Sequence, residues 1–292
     1  MQYKFSEQIY NKTTIKEKFN YYLLEKESSS ATIKKYQCDI EKFLNFMNIK
    51  KYQSLTKEVL LEYKEYLIKK YAIRSVNSML AALNQLLECF QLGNLKIKSL
   101  KYQRSMFQKE DKYLTKKEYY IILKETKNKM LKMIIEAIAE TGVRVSELKF
   151  FTVEQIKKGI IEIYNKGKYR AILIPKKIKE KLLLFSKKLG ITSGIIFRTK
   201  TGKSIDRSNI WKMLQNLSKI TKIEKEKLFP HNLRHFFAQM FYNKTKNLVM
   251  LGDILGHSSL ETTRIYACGT LKQYKKILNQ FNDNFYNLLV NT

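Results

Sequence analysis

The sequence predicts a mainly α-helical protein of two domains, the second with a small β-sheet set among its helices. Three observations carry this prediction. The chain has 292 residues, 44% of them hydrophobic, and single cores divide above roughly 250 residues, so two modest cores are expected. Apolar residues recur at helical spacing over most of the length. One central stretch has strand character instead, Ile160 to Tyr164 and Ala171 to Ile174, either side of the turn-prone run Asn165, Lys166, Gly167, Lys168.

In chain order, a first helical stripe runs from about Ile15 to Leu24. Serines 28 to 30 offer a cap for a second helix over Ala31 to Met47, whose Ile33, Tyr36, Ile40, Phe43 and Phe46 share one face. Thr56 caps a third helix with Val59, Leu60, Tyr63 and Leu67 inward, and Val76, Leu80, Leu83, Leu87 and Phe90 form a fourth stripe. Four helices with short connections make a helical domain over residues 1–95. Residues 96–112 are basic and weakly periodic and read as a linker. Thr115, with Glu118 three positions on, marks a new helix start inside a second domain, residues 113–292. Helices are expected there over Lys116 to Glu125 and Met130 to Glu140. After the two strands, which Pro175 ends, come Lys177 to Lys188, Ser208 to Leu217, His231 to Tyr242, Leu248 to Leu255, Leu260 to Tyr266 and Leu271 to Leu289.

Lys and Arg number 56 against 26 Asp plus Glu, a formal charge of +30 spread along the chain. A surface of that kind suits a polyanion, and nucleic acid is the leading partner. A membrane role is disfavoured, because no stretch approaches the roughly 18 apolar residues of a spanning helix and the N-terminus lacks a signal-peptide core. Cys38, Cys89 and Cys268 are odd in number and widely spaced. They make neither a disulfide framework nor a zinc pattern, and a reducing cytoplasm is the expected compartment.

Six residues of the second domain carry a chemistry. Cleaving a phosphodiester with a side chain needs a nucleophile, cationic donors for the non-bridging oxygens and a proton donor for the departing sugar oxygen. Arg144 in TGVRVSEL and Arg234 in PHNLRH have forked guanidiniums that fit a phosphate. His231, three residues before Arg234, shares its helix face. Leu255-Gly256 stops a helix, which leaves His257 in a turn and Tyr266 near the end of the next helix. A tyrosine hydroxyl, with a pKa of roughly 10, needs neighbouring cations or a base to act as nucleophile. Lys166 in the hairpin turn is the candidate general acid, although Lys168 and Arg170 stand close by. Glu147 is placed to orient an arginine or histidine. A zinc site built on His231 and His235, with His257 and Cys268 downstream, lacks a suitably placed acidic ligand, so neither metal nor cofactor is expected.

The boxes TGVRVSEL, PHNLRHFFAQM and LGHSSLETTRIY resemble the signatures of the tyrosine recombinases, especially the compact bacterial Xer-like integrases. The resemblance runs from about residue 12 to 285. Arg144, Lys166, His231, Arg234, His257 and Tyr266 match the six family positions in order, His257 lying 23 positions after Arg234 and Tyr266 nine after His257. The hairpin departs from the pattern, with NKGKYR in place of the commoner glycine-lysine-glycine turn. The resemblance implies a helical core-binding domain and a mixed α/β catalytic domain that close around duplex DNA. It implies cleavage of one strand at a time at specific sites through a 3′-phosphotyrosine on Tyr266, then exchange through a Holliday junction by a homotetramer on two DNA sites. Integration and excision of a mobile element and resolution of replicon dimers are both open uses. The late stripe Leu271, Tyr274, Ile277, Leu278, Phe281 and Phe285 suits docking on a neighbouring subunit or packing on its own domain. Two other readings are a topoisomerase-like enzyme that nicks and reseals one strand, and a DNA-binding regulator that does not cut.

Overall fold

The computed structural model describes residues 3–4, 12–52, 54–101, 112–165, 168–257, 259–267, 275 and 278–282. The chain divides into two units, Met1–Arg104 and Ser105–Thr292. The first is a helical bundle of α1 (Lys12–Glu25), α2 (Ser30–Ile49), α3 (Lys57–Lys70) and α4 (Ile73–Cys89). The caps are where the sequence puts them: the Ser29 hydroxyl accepts the Thr32 N–H at 3.2 Å and the Thr56 hydroxyl that of Val59 at 3.4 Å. Of the four expected stripes, Phe19, Leu23, Ile40, Phe43, Tyr63, Leu67, Leu80 and Leu87 are buried, each large side chain contributing about 1.5–3 kcal/mol. Tyr36 and Phe90 stay at the rim. A short antiparallel pairing of β1 (Tyr3–Lys4) with β2 (Ser54–Leu55) was not anticipated, two residues being too few for a period to show.

Two asparagines two turns apart on α4 tie down the chain that follows it. The Asn84 side-chain amide exchanges two hydrogen bonds with the backbone of Ile97, both at 2.9 Å, and Asn77 does the same with Leu100 at 3.0 and 2.8 Å. An amide side chain supplies one donor and one acceptor, so each asparagine stands in for a strand partner. The first residues of the basic stretch expected as a linker are thereby fixed to the helical unit.

The second unit opens with α5 (Lys116–Glu125), whose Thr115 and Glu118 make the expected reciprocal cap at 2.7 and 3.2 Å. Helix α6 (Lys129–Thr141) ends at Gly142, in the left-handed conformation at φ 65°. A 3-10 turn (Val145–Phe150) and α7 (Val153–Lys158) lead into β3 (Ile160–Asn165) and β4 (Lys168–Leu173). The strands pair antiparallel with Asn165 opposite Lys168, so β4 starts three residues earlier than its apolar run suggests. Ile161, Ile163 and Ile172 face the core while Ile160, Tyr164, Tyr169 and Leu173 face out, the period of two expected of a half-buried hairpin. Helices α8 (Lys176–Lys188), α9 (Arg207–Asn216), α10 (Ser218–Thr221), α11 (Pro230–Thr245), α12 (Leu248–Leu255) and α13 (Leu260–Ala267) complete it, with α11 packed along α6. Among the described residues no helix is long and apolar enough to cross a membrane. Lys166, Cys268 and, of the late stripe, Leu271, Tyr274, Ile277 and Phe285 lie outside the described residues. Leu278 and Phe281 are exposed.

Candidate active site

The last turn of α12 leaves backbone carbonyls without helical partners, at the negative end of the helix. Three arginines fill them. The carbonyl of Ile254 accepts from Arg170 Nη2 at 3.3 Å, that of Leu255 from Arg234 Nη2 at 2.7 Å and that of Gly256 from Arg144 Nη2 at 3.1 Å. Gly256 makes this possible. It takes the left-handed conformation that closes α12, and a Cβ there would stand 2.7 Å from Cδ and Nε of Arg170. Gly142 has the matching role at the end of α6. Its carbonyl accepts from Arg234 Nη1 at 2.6 Å, and a Cβ would meet the Phe237 ring at 2.4 Å.

Arg234 is 1% exposed and so bridges the ends of two helices from within the core. Burial, then the like charges of Arg144 and Arg170, brings its pKa down to about 10, which leaves it charged at neutral pH. Glu147 is the carboxylate in this cluster. Its Oε1 accepts from Arg144 Nη1 at 3.0 Å and Arg170 Nη1 at 2.5 Å, and its Oε2 from the backbone N–H of Arg144 at 2.9 Å. Arg144 caps the 3-10 turn that carries Glu147, because the Gly142 stop ends α6 just before it. One carboxylate against three guanidiniums leaves an excess of positive charge, which suits a bound phosphate.

His257 receives a hydrogen bond from this cluster. Its Nε2 lies 3.1 Å from Arg234 Nη2, and a guanidinium can only donate, so Nε2 accepts. The proton is therefore on Nδ1, which donates to the fully buried hydroxyl of Thr263 at 2.9 Å. Burial, followed by Arg234 and Arg144, lowers the His257 pKa to about 4, in keeping with this neutral form. On α11, His231 is exposed at the edge of the site, with its pKa lowered by partial shielding and then by Arg234 and Arg144. His235 is buried one turn further on, its ring 4.6 Å from His231, 4.8 Å from Tyr113 and 5.0 Å from Tyr266 between centroids, and its pKa falls to about 3 for the same leading reason.

Tyr266 on α13 is 5% exposed and lies nearly parallel to His257, 6.3 Å between ring centres. Burial raises its pKa, while the charge of Arg234 and a hydrogen bond from it pull the other way, and Arg144 adds to that pull. The fold thus brings together Arg144, Glu147, His231, Arg234, His257 and Tyr266. Arg170, Thr263 and the central position of His235 were missed from sequence. Arg170 did leave a signal: it is on the face of β4 that carries Ile172, and a charge on the inward face of a strand calls for a buried partner. Among the described residues no three His, Cys, Asp or Glu side chains are grouped to hold a metal ion.

Residues 112–271 match the model described as the phage integrase family, and residues 15–90 match the phage integrase N-terminal SAM-like domain. The chain is 27% identical to tyrosine recombinase XerC of Thermodesulfovibrio yellowstonii, over 89% of this chain and 93% of that one. Its fold is similar to that of the XerH site-specific recombinase bound to its difH substrate before cleavage, with a TM-score of 0.66, 21% identity and 86% and 80% of the two chains covered. It is likewise similar to a lambda integrase tetramer bound to a Holliday junction, at a TM-score of 0.69, 16% identity and 87% and 76% coverage.

Proposed function

The chain belongs to the phage integrase family, and from that premise we propose a site-specific tyrosine recombinase that cleaves and rejoins duplex DNA through a 3′-phosphotyrosine on Tyr266. The observation that supports this reading most is the convergence of three guanidiniums, the His257 imidazole and Tyr266 at the end of α12.

In the proposed reaction, Arg144 and Arg234 donate to the non-bridging oxygens of the scissile phosphate, and the negative charge they attract offsets their mutual repulsion. The tyrosine oxygen attacks phosphorus as the bond from phosphorus to the 5′ oxygen breaks. The tyrosine proton passes to a histidine held neutral by burial and then by the neighbouring arginines, and Lys166 supplies a proton to the leaving 5′ oxygen. Joining is the reverse step, with the 5′-hydroxyl of the partner strand attacking the phosphotyrosine. The phosphodiester energy is conserved in the covalent bond, so neither nucleotide nor metal takes part. Arg144 and His231 are accessible while Arg234 and Tyr266 are covered. A phosphate therefore meets the first two before Tyr266 turns outward to reach it.

The same chemistry serves integration, excision and dimer resolution. Exchanging both strands of two duplexes takes four active sites, so a homotetramer on two specific DNA sites is the working assembly, with the late apolar stripe a candidate for docking between neighbours. The charge of +30 provides general affinity for the DNA backbone, and that affinity falls as salt rises.

The test is covalent capture on a suicide duplex nicked beside the cleavage site. The wild-type chain should form a protein-DNA adduct, and Tyr266→Phe should bind the duplex equally well without forming one. An adduct of normal yield with Tyr266→Phe would remove Tyr266 from the mechanism.

A further inference from the structure

The hairpin β3–β4 holds a charged side chain that touches no position assigned to substrate. Arg170 projects from the core-facing side of β4, and its side chain is 12% exposed. It is held at three points. Nη1 donates to Glu147 Oε1, Nη2 to the carbonyl of Ile254, and the aliphatic stem lies where a Cβ on Gly256 would be. Its Nε is buried without a partner, a cost the fold accepts at this position.

Each contact leads to a residue that the proposed reaction places around the phosphate. Glu147 holds both the backbone and the guanidinium of Arg144. The carbonyl next to that of Ile254 holds Arg234, and the one after it holds Arg144. Leaving Arg170 out would free Glu147 to turn with Arg144 and would release one of the three ties on the turn that carries His257. A lysine there would keep the charge but would have a single point donor, unable to span a carboxylate and a carbonyl with fixed geometry.

We propose that Arg170 is a positioning residue that acts through Glu147 and the end of α12, setting Arg144 and His257 in one arrangement before DNA arrives. This rests on the recombinase reading above. It assigns Arg170 no contact with DNA, since the side chain is largely enclosed.

The experiment compares Arg170→Lys, Glu147→Gln and the double variant. Measured for each are thermal melting, duplex affinity in a matched salt titration, and the single-turnover rate of adduct formation on the suicide duplex. Arg170→Lys should bind as the wild type does and cleave more slowly by on the order of a hundredfold, the scale of a misplacement of ~1 Å at a reacting centre. If Arg170 acts through the carboxylate, the double variant should be no slower than the slower single variant. Losses that multiply, or an Arg170→Lys protein that cleaves at the wild-type rate, would overturn the proposal. Should Arg170→Lys fail to melt cooperatively, Glu147→Gln decides. A folded Glu147→Gln protein with normal cleavage overturns the proposal, and one with normal binding and slow cleavage supports it. Failure of the recombinase reading itself would look different, because the wild-type chain would then form no adduct.

Discussion

Thr263→Val tests whether the protonation state of His257 is set from behind. The substitution is nearly isosteric, so it opens no cavity and removes only the hydroxyl that accepts from Nδ1 at 2.9 Å. The ring has two ways to respond, and both are unfavourable. If the proton stays on Nδ1, a buried donor is left without an acceptor, at a cost of about 1–3 kcal/mol. If it moves to Nε2, two donors face each other across the 3.1 Å gap to Arg234 Nη2. Thr263 is fully buried, so water cannot stand in for the lost hydroxyl. For a domain of this size a loss of that magnitude lowers the melting temperature by about 2–12 °C. Cleavage should slow along with it, because the imidazole no longer has one orientation beside Arg234, whereas Thr263→Ser should keep the hydroxyl and the tautomer. Differential scanning calorimetry gives the stability change, and nitrogen NMR of labelled histidine reads the tautomer directly. A Thr263→Val protein that melts with the wild type, keeps the proton on Nδ1 and cleaves at the normal rate would refute the reasoning.

Acid should unfold the catalytic unit through its histidines. The pKa of His257 falls to about 4 and that of His235 to about 3 in the fold, burial leading in both, against roughly 6.5 in an unfolded chain. The unfolded state then binds protons that the folded state refuses. Stability is complete above about pH 6.5 and declines as pH falls toward 4, by about 1.4 kcal/mol per pH unit for each histidine. His235→Phe keeps a ring against Tyr113 and Tyr266 but does not titrate, so urea melts between about pH 6.5 and pH 5 should show a slope shallower by one proton; an unaltered slope would mean that His235 does not resist protonation. For the leaving group, Lys166→Ala should slow cleavage of ordinary DNA and recover on a 5′-phosphorothiolate, whose sulfur departs without a proton. Recovery seen only with Lys168→Ala would transfer the role along the hairpin.

The elements that could be read from sequence share a physical property: their cause is local. Helical stripes such as Val76, Leu80, Leu83 and Leu87 repeat at the spacing of the structure they form, and caps such as Thr115 with Glu118 act within one turn. Tyr266, His231, His257 and two of the arginines were legible because their spacing resembles a known pattern. What joins them was not. Arg144, Arg170 and Arg234 are arranged by the carbonyls of residues 142, 254, 255 and 256, and a backbone carbonyl is supplied equally by every residue type. The geometry therefore leaves its mark in the sequence only where a side chain would obstruct it. Gly142 and Gly256 are those marks, both in the left-handed conformation and both with neighbours too close for a Cβ. The glycines of TGVR and LGHS therefore belong to the candidate active site as much as the arginine and the histidine beside them. Gly142 holds the carbonyl that Arg234 needs, and Gly256 leaves the space that Arg170 occupies.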